Sequence, residues 1–445
     1  MKKALTIAGV DSGGGAGIIA DIKTFSALNV WGMAVVTSVT AQNTTGVYAI
    51  QDISPEIISA QIRAIIGDIG LDAAKTGMLK TSEIIRTVAR ELSEVDVPLV
   101  VDPVMVAQTG APLMEPDAKE VLVKELLPLA LVVTPNRYEA EALSGMEIRS
   151  IRDAEKAAKL ICEKYNPEAV IVKGGHLEEA EAIDVLYYNG EYHYFKTPRL
   201  KTKNTHGSGC TFSAAITAEL AKGKKLPDAV KTAKEFMYIA IKYGLALGRG
   251  RGPVNHMAWI YREAERYTAL VAVREFVEKL ESLKEMNKLI PEVGMNVAYA
   301  LNHAVDKNDI IALPGRIRAT PRGPKACAPP DFGASQHLAS YILVSRDYDQ
   351  SIRAAINIKF SEETIEKLRK LGLKISSYDR MKEPPEIKAI EGATIPWGTK
   401  QAIEALGGQV PDVIYHRGDV GKEPMIVILC RDLNELMQVL EKVLN

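Results

Sequence analysis

The chain has 445 residues, of which 25% are charged and 47% apolar, and its formal net charge is −1. At about 100–200 residues per domain, this length predicts two to three domains with ample core volume. The near-zero charge gives no basis for broad electrostatic capture of nucleic acid or of an anionic membrane, so neither is an expected partner. The cysteines Cys162, Cys210, Cys327 and Cys430 lie far apart without a CxxC pair, which argues against a disulfide or zinc framework. After Met1-Lys2-Lys3 only about seven mostly apolar residues precede Asp11, too few for a membrane span or a signal peptide. A reducing, cytoplasmic setting is expected.

Along the first 260 or so residues, short β-branched runs recur: Leu5 to Ala8, Ala34 to Val39, Leu99 to Val101, Leu131 to Thr134 and Ala169 to Val172. Between them lie segments with helical spacing. One starts at Pro55, suited to a first helical position, and sets Ile58, Ile62, Ile65 and Ile66 on one face. Apolar strands alternating with amphipathic helices predict an α/β fold, a mostly parallel sheet covered on both faces. In such sheets ligands bind beyond the carboxyl ends of the strands.

The pattern changes after Gly252-Pro253. Residues 261–290 read as a helical linker or as the first helix of the next domain, with Val273, Val277, Leu280 and Leu283 in one stripe. Residues 291–445 read as a second, smaller α/β domain that ends in Ile426–Cys430 and an amphipathic helix.

The first strand runs into Gly9-Val10-Asp11-Ser12-Gly13-Gly14-Gly15-Ala16-Gly17. Glycines at a strand-to-helix turn let backbone amides approach an anion, and a helix N-terminus favours it. No Gly-Lys-Ser/Thr follows, and Ile18 breaks the dinucleotide spacing. A second cluster, Lys203 to Thr211, places Gly207, Ser208 and Gly209 at a helix start, where their amides suit a transferring phosphoryl group. Cys210 follows, and a helix N-terminus lowers a thiol pKa from about 8.5 into the range of roughly 3.5–7.5. Asp102 ends one apolar run, Asn136 and Glu139 follow another three apart, and Lys173 follows a third before Gly174-Gly175-His176. Oxygen ligands of this kind share Mg²⁺ with nucleotide phosphates.

Together the strings AGVDSGGGAGIIADIKTFSALN, TAQNTTGV, KTGML, DPVM, TPNRYEAE, VKGGH and KNTHGSGCTFSAA resemble the hydroxymethylpyrimidine kinase/phosphomethylpyrimidine kinase family of thiamine biosynthesis. The resemblance covers about residues 1–260 and implies a ribokinase-like fold. Many sugar kinases of that fold carry Asp where this chain has Cys210, as the pyrimidine kinases do; Ser208 stands where Thr is frequent. The implied activity is two successive ATP-dependent phosphorylations of 4-amino-5-hydroxymethyl-2-methylpyrimidine. By the resemblance, Gly207, Ser208, Gly209 and Cys210 form the anion hole, with Cys210 nearest the attacking hydroxyl. Gln42 bonds the aminopyrimidine, and Gly9, Asp21, Met78 and Val104 complete its pocket. Asp102, Asn136 and Glu139 organise Mg²⁺ and its waters, with Asp102 and Glu139 as the metal carboxylates. Lys173, with Asn136 and Glu139, faces ATP. Dimers are usual in the family, so a homodimer or higher homo-oligomer is expected.

In the second half, Pro314-Gly315-Arg316-Ile317-Arg318 sets two arginines two apart, on one side of an extended segment and suited to phosphate. His337 lies near a helix start, and Asp412 to Met425 is a polar-rich loop. The strings VGMNVAYAL, LPGRIRA, DFGASQHLA, IRAAINIKF, SSYDR, TIPWGTKQAIEALGG and PDVIYHRGDVGKEPMI resemble the archaeal-type thiamine-phosphate synthase domain over roughly residues 265–445. That domain is often fused behind this kinase. The implied reaction joins the pyrimidine diphosphate to 4-methyl-5-(2-phosphooxyethyl)thiazole. Arg316, Arg318 and His337 are the candidates for its anionic contacts, with either arginine open as the essential one; Asp419 and Lys422 are secondary. Two other readings stand beside this one: a kinase for another vitamin such as pyridoxal, and a C-terminal half that senses thiamine phosphate without making it.

Overall fold

The computed structural model describes residues 1–107, 110–174, 181–419 and 421–444, in two compact units, Met1–Trp259 and Ile260–Asn445. Unit 1 is built on nine strands: β1 (Lys3–Asp11), β2 (Trp31–Gln42), β3 (Val47–Asp52), β4 (Ala73–Thr76), β5 (Leu99–Val101), β6 (Val132–Val133), β7 (Ala169–Val172), β8 (Glu181–Tyr188) and β9 (Glu191–Pro198). They form one sheet in the order β3-β2-β1-β4-β5-β6-β7-β8-β9. From β2 to β7 all neighbours are parallel, and β3, β8 and β9 add antiparallel margins. The β8–β9 hairpin turns on Asn189-Gly190, both at positive φ (51° and 82°), the dipeptide whose twist matches that of the flanking strands.

Four of the five apolar runs fall within strands, and the fifth, Leu131 to Thr134, brackets the two-residue β6. The central strands are buried because helices pack on both faces. Helices Pro55–Ala64, Ser82–Leu92 and Ile151–Tyr165 share a core with Leu5, Ile7, Ala74, Val101, Val133 and Val170. Helices Gly17–Ala27, Ser208–Ala221 and Leu226–Lys242 pack together against the sheet's remaining residues. The Pro55 helix has its proline in the first turn, buries Ile58 and Ile62 completely, and continues as a π-helical turn over Ile65–Ile69. Ile65 and Ile66 pack against the same core.

In unit 2, the helix Ala258–Ser282 supplies Val273, Phe276, Val277 and Leu280 to the core, and Leu283 packs against it just beyond the helix end. The strands are β10 (Val297–Ala300), β11 (Ile310–Ala312), β12 (Ile317–Thr320), β13 (Gly323–Ala326), β14 (Asp331–Phe332), β15 (Ala354–Lys359), β16 (Ile375–Ser377), β17 (Val413–His416) and β18 (Met425–Cys430). Seven of them form the sheet β14-β11-β10-β15-β18-β17-β16, in which only β16 and β17 are parallel neighbours. The hairpin β12-β13 stands apart and carries Arg318. Helices Gln336–Arg346, Glu362–Lys370, Thr394–Glu404 and Leu433–Leu444 pack with these strands. Among the described residues, no helix is long and apolar enough to cross a membrane.

Candidate functional site

The two glycine clusters meet at the carboxyl edge of the unit 1 sheet. Asp11, the last residue of β1, organises the first: its Oδ1 accepts from Gly13 N at 2.8 Å, and its Oδ2 from Gly15 N and Ala16 N at 3.1 and 2.9 Å. Oδ2 also lies 2.9 Å from His206 Nε2, a residue of the second cluster. Burial pushes the Asp11 carboxyl up, but the His206 bond and the backbone amides outweigh it and hold the group below its ordinary pKa. The packing leaves no room for side chains. A Cβ on Gly15 would lie 2.4 Å from His206 Cδ2, and one on Gly207, at φ +78°, would lie 1.7 Å from Gly15 O. Neither Asp11 nor His206 stood out in the sequence, although an acid at a strand end that opens a glycine run was the available signal.

Gly207 is the N-cap of the helix Ser208–Ala221, so the amides of Ser208 and Gly209 open its first turn. A Cβ on Gly209 would stand 3.5 Å from Lys173 Nζ and 3.7 Å from Asp102 Oδ2. Those two side chains come from the ends of β7 and β5. Lys173 Nζ donates to Asp102 Oδ1 at 3.1 Å, and Thr134 Oγ1 donates to the same oxygen at 3.1 Å. Burial works against the Lys173 charge, but Asp102 and Glu139 outweigh it and raise its pKa. Asn136 and Glu139 lock as a capping box: Asn136 N donates to Glu139 Oε2 at 2.7 Å, and Glu139 N donates to Asn136 Oδ1 at 3.0 Å. Burial carries the Glu139 carboxyl up to about 7, with Lys173 pulling it down and Asp102 pushing it up.

Cys210 departs from its sequence expectation. Its thiol is pushed up to about 12, not lowered, because burial outweighs the pull of Lys75 and a hydrogen bond with the Gly17 backbone. In the ligand-free chain Cys210 is a protonated thiol. Lys75, on β4, was not singled out. It is fully buried and bonds Asp21 Oδ2 at 2.9 Å, where Thr6 Oγ1 also donates at 2.6 Å. Burial opposes the Lys75 charge, yet Asp21, Cys210 and Asp102 together raise its pKa and keep it an ammonium.

The residues assigned to the pyrimidine pocket divide. Gly9 and Met78 are in contact, since a Cβ on Gly9 would lie 3.1 Å from Met78 Sδ. Gln42 is half-buried at the end of β2 and receives Thr40 Oγ1 on its Oε1 at 3.2 Å. Val104 is half-buried just after Asp102, to whose carbonyl its amide donates at 2.9 Å. Asp21 is fully buried and already bonded by Lys75 and Thr6. Gly175 and His176 lie outside the described residues.

In unit 2 both arginines reach back to one segment. Arg316 Nη1 donates to Val293 O at 2.7 Å, and Arg318 Nη1 donates to Glu292 O at 3.0 Å. Arg316 is not on an extended strand: its φ is +69°, and β12 begins one residue later. The common side comes instead from Gly294, against which both arginines pack. Glu423 fixes that segment from below, its carboxylate accepting from Glu292 N and Val293 N at 2.9 and 3.1 Å. An open cleft of about 650 Å³ lies here, lined in part by Glu292, Val293, Lys359 and Glu423. His337 is the second residue of the helix Gln336–Arg346, whose N-cap Ser335 accepts from Leu338 N at 3.3 Å. Burial and then the charges of Arg316, Arg380, Lys422 and Lys307 lower its pKa. Asp419 pairs with Lys388 at 3.0 Å and bridges the backbone of Lys422. Val420 lies outside the described residues.

A glycine-built cradle at the carboxyl edge of a parallel sheet, with a lysine–carboxylate pair beside it, offers backbone amides and a cation to a phosphate-bearing ligand. A family model for phosphomethylpyrimidine kinase matches residues 11–255, and one for thiamine-phosphate synthase ThiN matches residues 272–442. The chain belongs to the phosphomethylpyrimidine kinase family, in which unit 1 has the ribokinase-like fold. It is 46% identical over 264 residues to the hydroxymethylpyrimidine/phosphomethylpyrimidine kinase of Staphylococcus aureus (strain MSSA476), spanning 59% of this chain and 96% of that one. The enzyme of the same name from Rhizobium meliloti (strain 1021) is 49% identical over 260 residues, spanning 57% and 96%. Among solved structures, an ADP complex of Bacillus subtilis pyridoxal kinase matches with a TM-score of 0.55 and 42% identity, over 58% of this chain and 98% of that one. Staphylococcus aureus pyridoxal kinase with AMP-PCP and pyridoxal matches at 0.54 and 39%, over 57% and 93%.

Proposed function

We propose that unit 1 phosphorylates 4-amino-5-hydroxymethyl-2-methylpyrimidine to its monophosphate and then its diphosphate. Unit 2 then couples that diphosphate to 4-methyl-5-(2-phosphooxyethyl)thiazole, giving thiamine phosphate and diphosphate. The observation that carries the kinase reading is the convergence of Gly207–Cys210 with the Lys173–Asp102 pair, reached from three separate elements. The match of residues 272–442 to a thiamine-phosphate synthase model supports the second reaction.

Catalysis in unit 1 is positioning and charge neutralisation. The amides of Gly207 to Cys210 receive the transferring phosphoryl oxygens, Lys173 lies toward ATP, and Gln42 offers a donor and an acceptor to the aminopyrimidine edge. The donor set fits Mg²⁺ bound largely through water and phosphate: among the described residues there is no cluster of three metal-ligating side chains, only the buried oxygens of Asp102 and Glu139. Bound there, the ion would neutralise phosphate charge. Asn136 holds Glu139 in place through their capping box.

In unit 2 the carbon–oxygen bond to diphosphate breaks with its electron pair leaving on oxygen, and the thiazole nitrogen forms the new carbon–nitrogen bond. The aminopyrimidine spreads the developing positive charge, and Arg316, Arg318 and His337 meet the anions. A pyridoxal-kinase reading of unit 1 draws on the two solved neighbours. The test is one reaction with the whole chain, pyrimidine alcohol, ATP, Mg²⁺ and thiazole phosphate, read as thiochrome fluorescence. Signal that requires both rings supports the two-reaction reading. Accumulated pyrimidine diphosphate without thiamine phosphate leaves unit 2 as a sensor, and turnover of pyridoxal in place of the pyrimidine replaces the kinase reading.

A further inference from the structure

The turn after β16 carries two buried polar atoms without a hydrogen-bond partner among the described residues. Its first residue is anchored: Tyr378 is buried, and its hydroxyl is 2.9 Å from that of Tyr341. Tyr341 lies four residues after His337, one turn along the same helix face. The Tyr378 ring also packs 5.4 Å from His416 and edge-on to Trp397 at 6.1 Å. Position 398 must be glycine, since a Cβ there would lie 2.4 Å from the Tyr378 ring. Asp379 then caps a short turn, accepting from Met381 N at 3.0 Å, and Glu383 N closes it onto Arg380 O at 3.2 Å.

On this turn, Arg380 Nε and Glu383 Oε1 are both buried and neither has a hydrogen-bond partner among the described residues. Glu383 is only 7% exposed. Buried polar groups are normally paired, so an orphaned donor and acceptor three residues apart call for a ligand that supplies both complements. Arg380 stands within electrostatic reach of His337, Tyr341, Tyr378 and His416, and Arg316 acts on the same His337. His416 adds no charge of its own: its Nδ1 accepts from Gly418 N at 3.2 Å, which leaves its proton on Nε2.

We propose that the Tyr378–Glu383 turn binds the pyrimidine diphosphate in unit 2, with Arg380 taking the diphosphate and Glu383 accepting a hydrogen bond from the ring's exocyclic amino group. This rests on the synthase reading above. The substrate carries both complements, because its amino group and its diphosphate arm sit on adjacent ring carbons. As the carbon–oxygen bond breaks, the diphosphate departs with the electron pair toward Arg380. The positive charge left on the pyrimidine spreads onto the amino nitrogen, where the Glu383 carboxylate opposes it. Arg316 and His337 then serve the same anion from the other side.

The test uses the full chain and two ligands, inorganic diphosphate and the pyrimidine diphosphate. Arg380→Ala should weaken inorganic diphosphate at least about tenfold by calorimetry, with Arg380→Lys recovering part of the loss, because a point charge replaces the fork. Glu383→Gln should leave inorganic diphosphate affinity unchanged but raise KM and lower kcat for the pyrimidine diphosphate by about tenfold or more. Diphosphate affinity unmoved by Arg380→Ala, or equal loss of both ligands in Glu383→Gln, would overturn the assignment. The near-ultraviolet circular dichroism of the Tyr378–Trp397 pair reports folding; if Arg380→Ala loses it, Arg380→Lys decides. A wild-type chain that makes no thiamine phosphate sinks the synthase reading, while the inorganic diphosphate arm still decides Arg380.

Discussion

His206 Nε2 and Asp11 Oδ2 lie 2.9 Å apart although 195 residues separate them in the chain. This bond ties the two glycine clusters, because the same Asp11 carboxylate also receives the amides of Gly13, Gly15 and Ala16. His206→Ala should therefore loosen both loops, costing about 1–3 kcal/mol of stability and lowering kinase kcat/KM by about tenfold or more. Thermal unfolding and steady-state kinetics on the same preparation check this. The pH dependence follows from the sign. Asp11 is depressed in the folded chain, so its contribution is present above the ordinary carboxylate value of 3.8 and is lost as pH falls below it.

Glu139 runs in the opposite direction. Its folded pKa is raised from 4.5 to about 7, so the ligand-free chain binds more protons than the unfolded one between those values and loses stability as pH climbs through them. Glu139→Gln keeps an oxygen for the Asn136 amide and removes the charge. It should raise the melting temperature at pH 8, by a stability gain on the order of 1–3 kcal/mol, and change little at pH 4.5. Kinase activity should fall in the same variant. A melting temperature equal to wild type at pH 8 contradicts the raised pKa.

Cys210 should behave as a protonated thiol until ligands arrive. In a Cys327→Ser background, its alkylation by iodoacetamide should stay slow at pH 8, in keeping with a pKa near 12. Cys210→Ala should slow turnover far more than it weakens ATP binding. Near-wild-type turnover would remove Cys210 from the mechanism.

Gly207→Ala places a methyl group against Gly15 O at a backbone angle that glycine alone tolerates well. Kinase activity should be largely lost while thiamine phosphate synthesis from supplied pyrimidine diphosphate persists. Joint loss of both activities would show instead that the substitution unfolds the whole chain.

Of the two arginines in unit 2, Arg316 is expected to matter more. Its charge acts on His337, whereas Arg318 is exposed and lies within the outlying hairpin. Arg316→Ala should reduce thiamine phosphate synthesis by about 100-fold and Arg318→Ala by about tenfold or less, both with kinase activity intact. A larger effect at Arg318 reverses the order.

The residues by themselves determined much of this protein. Apolar runs marked β1, β2 and β5 to β7, because a strand covered on both faces is mostly apolar, whereas β4 carries the buried Lys75 and Thr76 and gave no such run. The glycine clusters marked the two loops that meet at the carboxyl edge of the sheet, because only glycine admits such close backbone approach at Gly15 and Gly207. The margins of the sheet were less legible. Strand β9 has no buried residue and β8 only a buried middle, so neither shows the long apolar run of a central strand.

Tertiary structure decided the rest, and for one reason: electrostatics depends on burial and on neighbours from distant elements. A helix start alone favours a thiolate at Cys210, but burial reverses the outcome. Lys75 reads as an ordinary strand residue until the fold encloses it with Asp21 and Cys210. Arg316 and Arg318 share a side not through strand alternation but because Gly294 and the carbonyls of Glu292 and Val293 hold them there. Composition and spacing specify which groups are available; only packing fixes their charge and their aim.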